Sequence, residues 1–365
     1  MADDGWYQRV AAEVRAVFTT GPRLVDELEC VASVLLAIVF GHLADVQNIS
    51  WAAFSGYMVM RGHVSESLWR GALRIIGTLG GALLAFLIVP QVWHSPAATA
   101  AVLALIGGTT IYGALMGRHS YARLFVGLTF AMILMDKLEH PQHVVEAFIS
   151  TRIRETAAGT LACILISMIS TLTLRQRWPS LPSPPPPRFS WLPDAARHAS
   201  QGAIALAILP FLWAAFQIPQ LSQGAITIMA LMLIPLSGIG KSGFRPVSRR
   251  IALRVIGCAS GAAFAAAFLL LAHVSTYLAT PVLIAGMALG VMLGRHIENG
   301  KSAFAYGGTQ FVLVILVTLV PDSYLNAELS PGIARLTGSL VGILLLLPVL
   351  AGWHLVVGVM EKRSP

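Results

Sequence analysis

Charge is what this sequence has least of. Only 12% of its 365 residues are Asp, Glu, Lys or Arg, while 56% are hydrophobic, and the mean hydropathy is +0.73. A water-soluble core cannot bury that much apolar surface, so the composition is that of an integral membrane protein. Cysteine is rare too: Cys30, Cys163 and Cys258 all fall in apolar stretches, where a thiol acts as a small hydrophobe and no disulfide framework is indicated. The sequence has no Gly-rich loop ending in Lys-Ser/Thr, no Cys or His cluster at metal-ligand spacing, and no Ser/His/Asp set in a supporting context. Enzymatic activity, a metal and a cofactor are therefore not expected. The first residues, MADDGWYQRV, show no basic start followed by an apolar run, so no cleavable signal peptide is visible. The formal charge of +8 is read first as an orientation signal in a membrane protein, not as a nucleic-acid footprint.

Long apolar runs are abundant. They predict twelve spans, near 28–46, 48–60, 72–92, 97–116, 121–135 and 153–174, then 197–217, 223–240, 250–272, 279–294, 303–320 and 333–357. The two sets of six flank RQRWPSLPSPPPPRFSWLPD, whose prolines cannot continue a helix and favour an extended spacer. The chain divides into an N-terminal segment (1–23), a six-helix membrane repeat (24–175), a Pro-rich linker (176–194) and a second six-helix repeat (195–360). In the first segment Trp6, Val10, Val14, Val17 and Phe18 share one helical face, as in a helix lying on the membrane or docked on the protein. With the N-terminus inside, 21 of the 25 basic residues fall on the cytoplasmic side; Lys137, Arg152, Arg154 and Arg335 fall on the other. The fold expected is an all-α membrane protein of about twelve transmembrane helices. An even number per half makes the halves parallel repeats about an axis along the membrane normal, with both termini cytoplasmic.

LRIIGTLGGALL (73–84) and LRVIGCASGAAF (253–264) repeat Arg-x-x-Gly-x-x-x-Gly. Arg335, Gly338 and Gly342 repeat it again, and Arg152, Glu155 and Gly159 give a degraded fourth copy. The motif opens every third span, in spans of opposite direction, the pattern of two inverted three-helix units within each half. Its glycine pairs, Gly77 with Gly81, Gly257 with Gly261 and Gly338 with Gly342, are candidates for close helix packing. Arg74 and Arg254 fit either snorkelling toward cytoplasmic phosphates or a ligand. Arg152 and Arg335 lie against the charge bias and call for a partner or a function, Glu155 being the nearby partner for Arg152. A guanidinium in the first turn of a helix, beside unsatisfied N–H groups, is a binding place for a carboxylate. MGRH (116–119) and LGRH (293–296) form another repeat, in which Glu298 can neutralise Arg295.

The second and eighth spans are short or broken, the latter by Pro235, Gly238 and Gly240. Paired interrupted helices of this kind point to a transport site. Trp51, Phe54 and Tyr57 form an aromatic stripe on the first, suited to stacking on a planar ring or to an interfacial belt and core packing. His42 and Asp45 share a face at the end of the first span, as a proton-coupling pair or a capping pair.

The stretch ISWAAFSGYMVMRGHVSESLWRGALRIIGTLGGALLAFL, with Arg74, Gly77, Thr78 and Gly81, resembles the opening of the membrane domain in the fusaric acid resistance and aromatic acid exporter family. Arg254, Gly257 and Gly261 match it in the second half, with Cys258 where the threonine would stand. The resemblance implies a bacterial inner-membrane efflux component for small aromatic or organic acids, driven by the proton motive force. A periplasmic adaptor and an outer-membrane channel are the partners it implies. The plant malate channels are similar in their six-helix unit. The chain departs from many members in having only the Pro-rich linker where they carry a large cytoplasmic domain. In that reading Arg74, Arg254, Arg152, Arg335, Trp51, Phe54 and Tyr57 meet the acid, and His42 with Asp45 couples protons. A passive organic-anion channel and a non-transporting envelope scaffold are the alternatives; membrane lipids surround all three, nucleic acid is not a partner, and homo-oligomerisation stays open.

Overall fold

The structure, a computed structural model, describes residues 19–180, 190–240, 242–274, 276–300, 304–324 and 327–363. Among them every regular element is a helix: α1 (Pro22–Leu43), α2 (Ile49–Val59), α3 (Val64–Val92), α4 (Pro96–Ala114), α5 (Ser120–Glu139), α6 (Val145–Leu172), the single turn α7 (Leu174–Arg177), α8 (Pro193–Phe216), α9 (Leu221–Leu231), the single turn α10 (Leu236–Ile239), α11 (Phe244–His273), α12 (Thr276–Asn299), α13 (Ala305–Leu319) and α14 (Ser330–Arg363). The amphipathic face proposed at Trp6 to Phe18 lies outside the described residues, as does 181–189 of the linker.

Each of the twelve apolar stretches coincides with a helix. Seven helices, α3, α4, α6, α8, α11, α12 and α14, are long and apolar enough to cross a membrane, so the chain is a multi-pass membrane protein. Of the others, α1 is interrupted by acids, and α2 and α9 have 11 residues each, about 16 Å at 1.5 Å per residue. The sequence explains these ends. Pro22 and Pro193 take first-turn positions, where a missing N–H costs nothing. Ser95 accepts the Ala98 N–H ahead of Pro96 in α4. α9 stops before Pro235, and Gly240, at φ +49°, ends α10 in a backbone region that favours glycine.

One expectation is corrected. α3 starts at Val64 and α11 at Phe244, well ahead of the apolar runs at 72 and 250, so Arg74 and Arg254 each stand ten residues inside a helix instead of in its first turn. Hydropathy marks where a helix turns greasy; the polar turns before it, VSES and FRPVSRR, are helical as well. The N–H groups beside these arginines are spent on helix bonds, which removes the helix-terminus argument for a carboxylate.

The chain forms two compact units that do not follow its two halves. Unit one holds residues up to 71, 154–183 and 256–332; unit two holds 72–153, 184–255 and the rest from 333. In unit one α1 packs on α2 and α12, and α13 on α12 and α2. Its core includes Cys30, Val34, Met60, Cys163, Met287, Val312 and Ile315. In unit two α4 packs on α8 and α5, and α9 on α5 and α8.

The same plan recurs in both. A Cβ at Gly77 or Gly81 of α3 would come within 3.0 Å of α5 carbonyls, and one at Gly257 or Gly261 of α11 equally close to α13 carbonyls. Gly159 of α6 meets Ala52 of α2 in this way, and Gly338 and Gly342 of α14 meet Gln220 and Gly224 at the start of α9. Each unit also closes a short helix with a carboxylate from the other half. Asp322, after α13, accepts the Ile49 N–H of α2 at 2.8 Å. Glu139, ending α5, accepts the N–H groups of Gln220 at 2.8 Å and Ser222 at 3.1 Å at the start of α9.

Candidate functional site

The motif arginines are all buried and all in unit two. Arg254, 1% exposed, donates to the Thr227 hydroxyl at 2.8 Å and reaches Ser339 Oγ at 3.4 Å. Arg335 reaches the Gln223 amide oxygen at 3.4 Å. The Arg74 guanidinium lies 3.6 Å over the Phe125 ring and that of Arg152 5.2 Å over Phe148. Hydroxyl, amide and ring groups are thus among the partners of these cations. The surroundings share that sign: unit two carries fifteen Lys and Arg against five Asp and Glu, unit one ten against twelve.

Unit one contains a different constellation. α1 opens with Asp26, Glu27 and Glu29, three acids in four residues, all buried. Arg175 grips Glu29 in a bidentate pair, Nε–Oε1 2.8 Å and Nη2–Oε2 2.6 Å, and Ser170 donates to the same carboxylate. Arg295 Nε meets Asp26 Oδ2 at 2.6 Å and its Nη1 meets Glu298 Oε1 at 3.2 Å. Asn299 also donates to Asp26, at 2.6 Å. His296 Nδ1 lies 2.7 Å from Glu27 Oε1, and Arg23 Nε 3.7 Å from the same oxygen. Buried charge on this scale persists only when every ion is paired and hydrogen-bonded. A cleft of about 290 Å³, lined by His63, Thr171, Arg175 and Gln176, reaches the edge of the network at Arg175.

The aromatic stripe divides. Trp51 and Phe54 stay together, ring centroids 5.3 Å apart and half-buried, whereas Tyr57 is fully buried and donates its hydroxyl to Glu298. Tyr57 thus belongs to the ionic network. His42 and Asp45 are both exposed at the end of α1; Asp45, at φ +49°, sits in the turn, and its carbonyl accepts a 3.5 Å bond from Arg154. The two MGRH/LGRH copies also part: Arg118 and His119 are exposed, Arg295 and His296 buried.

Sequence reasoning singled out Arg295 and Glu298 but passed over Asp26, Glu27, Glu29 and Arg175. The signal was VDELEC itself, three acids at the threshold of an apolar span, which is costly unless cations wait on another helix. It also passed over Asp136, His140 and His143 at the end of α5, whose imidazoles lie 3.4 and 3.1 Å from the carboxylate; all three ligand atoms fall within 4.8 Å. Lys137 closes the same loop through the His143 carbonyl at 2.9 Å.

No curated protein and no solved structure matches the chain. Residues 28–183, from the middle of the acidic turn of α1 through Arg175, match the fusaric acid resistance protein family, which bears out the resemblance read from Arg74, Gly77, Thr78 and Gly81.

Proposed function

We propose that the protein is a proton-driven exporter of small aromatic or other organic acids in the bacterial inner membrane. Membrane transport or resistance is the role the family match favours. The observation that carries the anion reading is the concentration of positive charge in unit two, with Arg74, Arg152, Arg254 and Arg335 buried against hydroxyl, amide and aromatic groups. A guanidinium attracts a carboxylate, and neighbouring rings suit an aromatic acid. In this reading α2 and α9, the shortest apolar helices, are interrupted spans of a twelve-helix protein with both termini cytoplasmic. Equal helix lengths, like motif packing and reciprocal carboxylate caps support a chain built from parallel six-helix repeats, each of two inverted three-helix units.

The test is uptake of a hydroxybenzoate by proteoliposomes with and without an imposed pH gradient. Accumulation above equilibrium that needs the gradient and is lost in Arg254→Ala is expected. Equilibration independent of the gradient would mark a passive channel, and no flux in any condition would overturn the transport reading.

A further inference from the structure

Three of the four carboxylates in the unit-one network are held by permanent cations. Asp26 faces Arg295 and, at 3.7 Å, Arg175; Glu29 faces Arg175; Glu298 faces Arg295, the Tyr57 hydroxyl and, farther off, Arg61. Glu27 differs. Its partner at hydrogen-bond distance is an imidazole, and its nearest guanidinium, Arg23 at 3.7 Å, is partly exposed. Its second oxygen, Oε2, is buried and accepts no hydrogen bond among the described residues. A carboxylate 1% exposed, with one oxygen unsatisfied, is poorly stabilised as an anion and gains from a proton.

We infer that Glu27 and His296 together bind the proton that drives the exporter, a role that rests on the transport reading above and that moves the coupling site from His42 and Asp45 into unit one. The bound proton takes the pair from one negative charge to none. It arrives as a solvent proton, sits on Nδ1 of His296 or on the Glu27 carboxyl, and leaves to solvent, so no other atom or electron is exchanged. The charged and hydrogen-bonding groups around the pair have partners of their own: Arg23 beside Glu27, Asp26 and Glu29 on α1, Tyr57 on α2, Ser170 on α6, Arg175 on α7, and Arg295, Glu298 and Asn299 on α12. The cleft at Arg175 opens at the edge of the network.

The matching turn of α8 carries different residues. α8 opens with proline as α1 does, but Arg197, His198 and Ser200 stand where α1 has Asp26, Glu27 and Glu29. His198 instead bonds the Met232 carbonyl at 2.9 Å.

The experiment pairs infrared pH-difference spectra of the purified protein with transport in proteoliposomes, for wild type, Glu27→Gln and His296→Asn. Wild type should take up a proton with a carboxyl or imidazolium signature that both variants lose. The variants should lose at least tenfold of gradient-driven hydroxybenzoate accumulation while retaining substrate counterflow, which needs no net proton movement and also reports a folded protein. Accumulation undiminished in both variants, or a proton signature that persists in both, would overturn the assignment. If wild type accumulates no acid, the transport reading falls and with it the coupling role, while the spectra still decide whether the pair binds a proton.

Discussion

The two units are built to one plan and filled with opposite chemistry. In each, glycines of two motif helices seat on two further helices that also pack on each other: α6 and α11 on α2 and α13 in unit one, α3 and α14 on α5 and α9 in unit two. In each, a carboxylate from one half caps the short helix of the other. Even the carbonyl ending the short helix has a side-chain partner in both, Met60 receiving Arg295 at 3.4 Å and Met232 paired with His198. Yet unit one buries a network of ion pairs, while the four motif arginines buried in unit two touch hydroxyl, amide and aromatic groups. The difference teaches that like backbone packing does not demand like charge in the side chains set around it. In the proposed reading, anion attraction falls to unit two and proton binding to unit one.

The sharpest way to probe that contrast is to remove one buried cation from each unit. Arg175→Ala strands Glu29 as an unpaired buried charge and should cost about 3–5 kcal/mol, read as loss of folded protein or a large fall in detergent melting temperature. Arg254→Ala removes the guanidinium that the Thr227 and Ser339 hydroxyls meet and should cost about 1–3 kcal/mol. Equal losses would erase the distinction between the units.

The shared plan has its own test. Gly77→Val and Gly257→Val each force a side chain against a facing backbone, and both should destabilise by similar amounts, about 1–3 kcal/mol. A variant that melts like wild type in one unit alone would show that the packing is not shared.

The smallest effect concerns the cap of α9. Burial lifts Glu139 above the usual carboxylate range, and the N–H groups of Gln220 and Ser222 oppose that lift. An acid raised in the folded state contributes stability at low pH and loses it as pH climbs through its folded value. Glu139→Gln keeps an acceptor without the charge, so it should match or slightly exceed wild type in melting temperature at neutral pH. Glu139→Ala should lose about 1 kcal/mol.

Much of the fold was legible because membrane helices write themselves as apolar runs and because glycines at spacing four announce close contact. Helix starts were not, since VSES and FRPVSRR carry no hydropathy signal, and that misplaced Arg74 and Arg254 by about two turns relative to the helix end. The ionic network was half legible. Glu298 stands beside Arg295 in sequence, but Arg295 with Asp26, and Arg175 with Glu29, are joined across 269 and 146 residues, and only the pairing of α1 with α12 and α7 brings them together. Tyr57 was grouped with Trp51 and Phe54 by spacing, and burial against Glu298 separates it.

The division of labour is tested most directly by measuring hydroxybenzoate transport in two modes, counterflow and pH-gradient-driven accumulation, for Arg254→Ala and Glu27→Gln side by side. The account predicts that Arg254→Ala weakens the apparent affinity for the acid at least tenfold in both modes, whereas Glu27→Gln abolishes accumulation and spares counterflow. Identical defects in the two variants would contradict it.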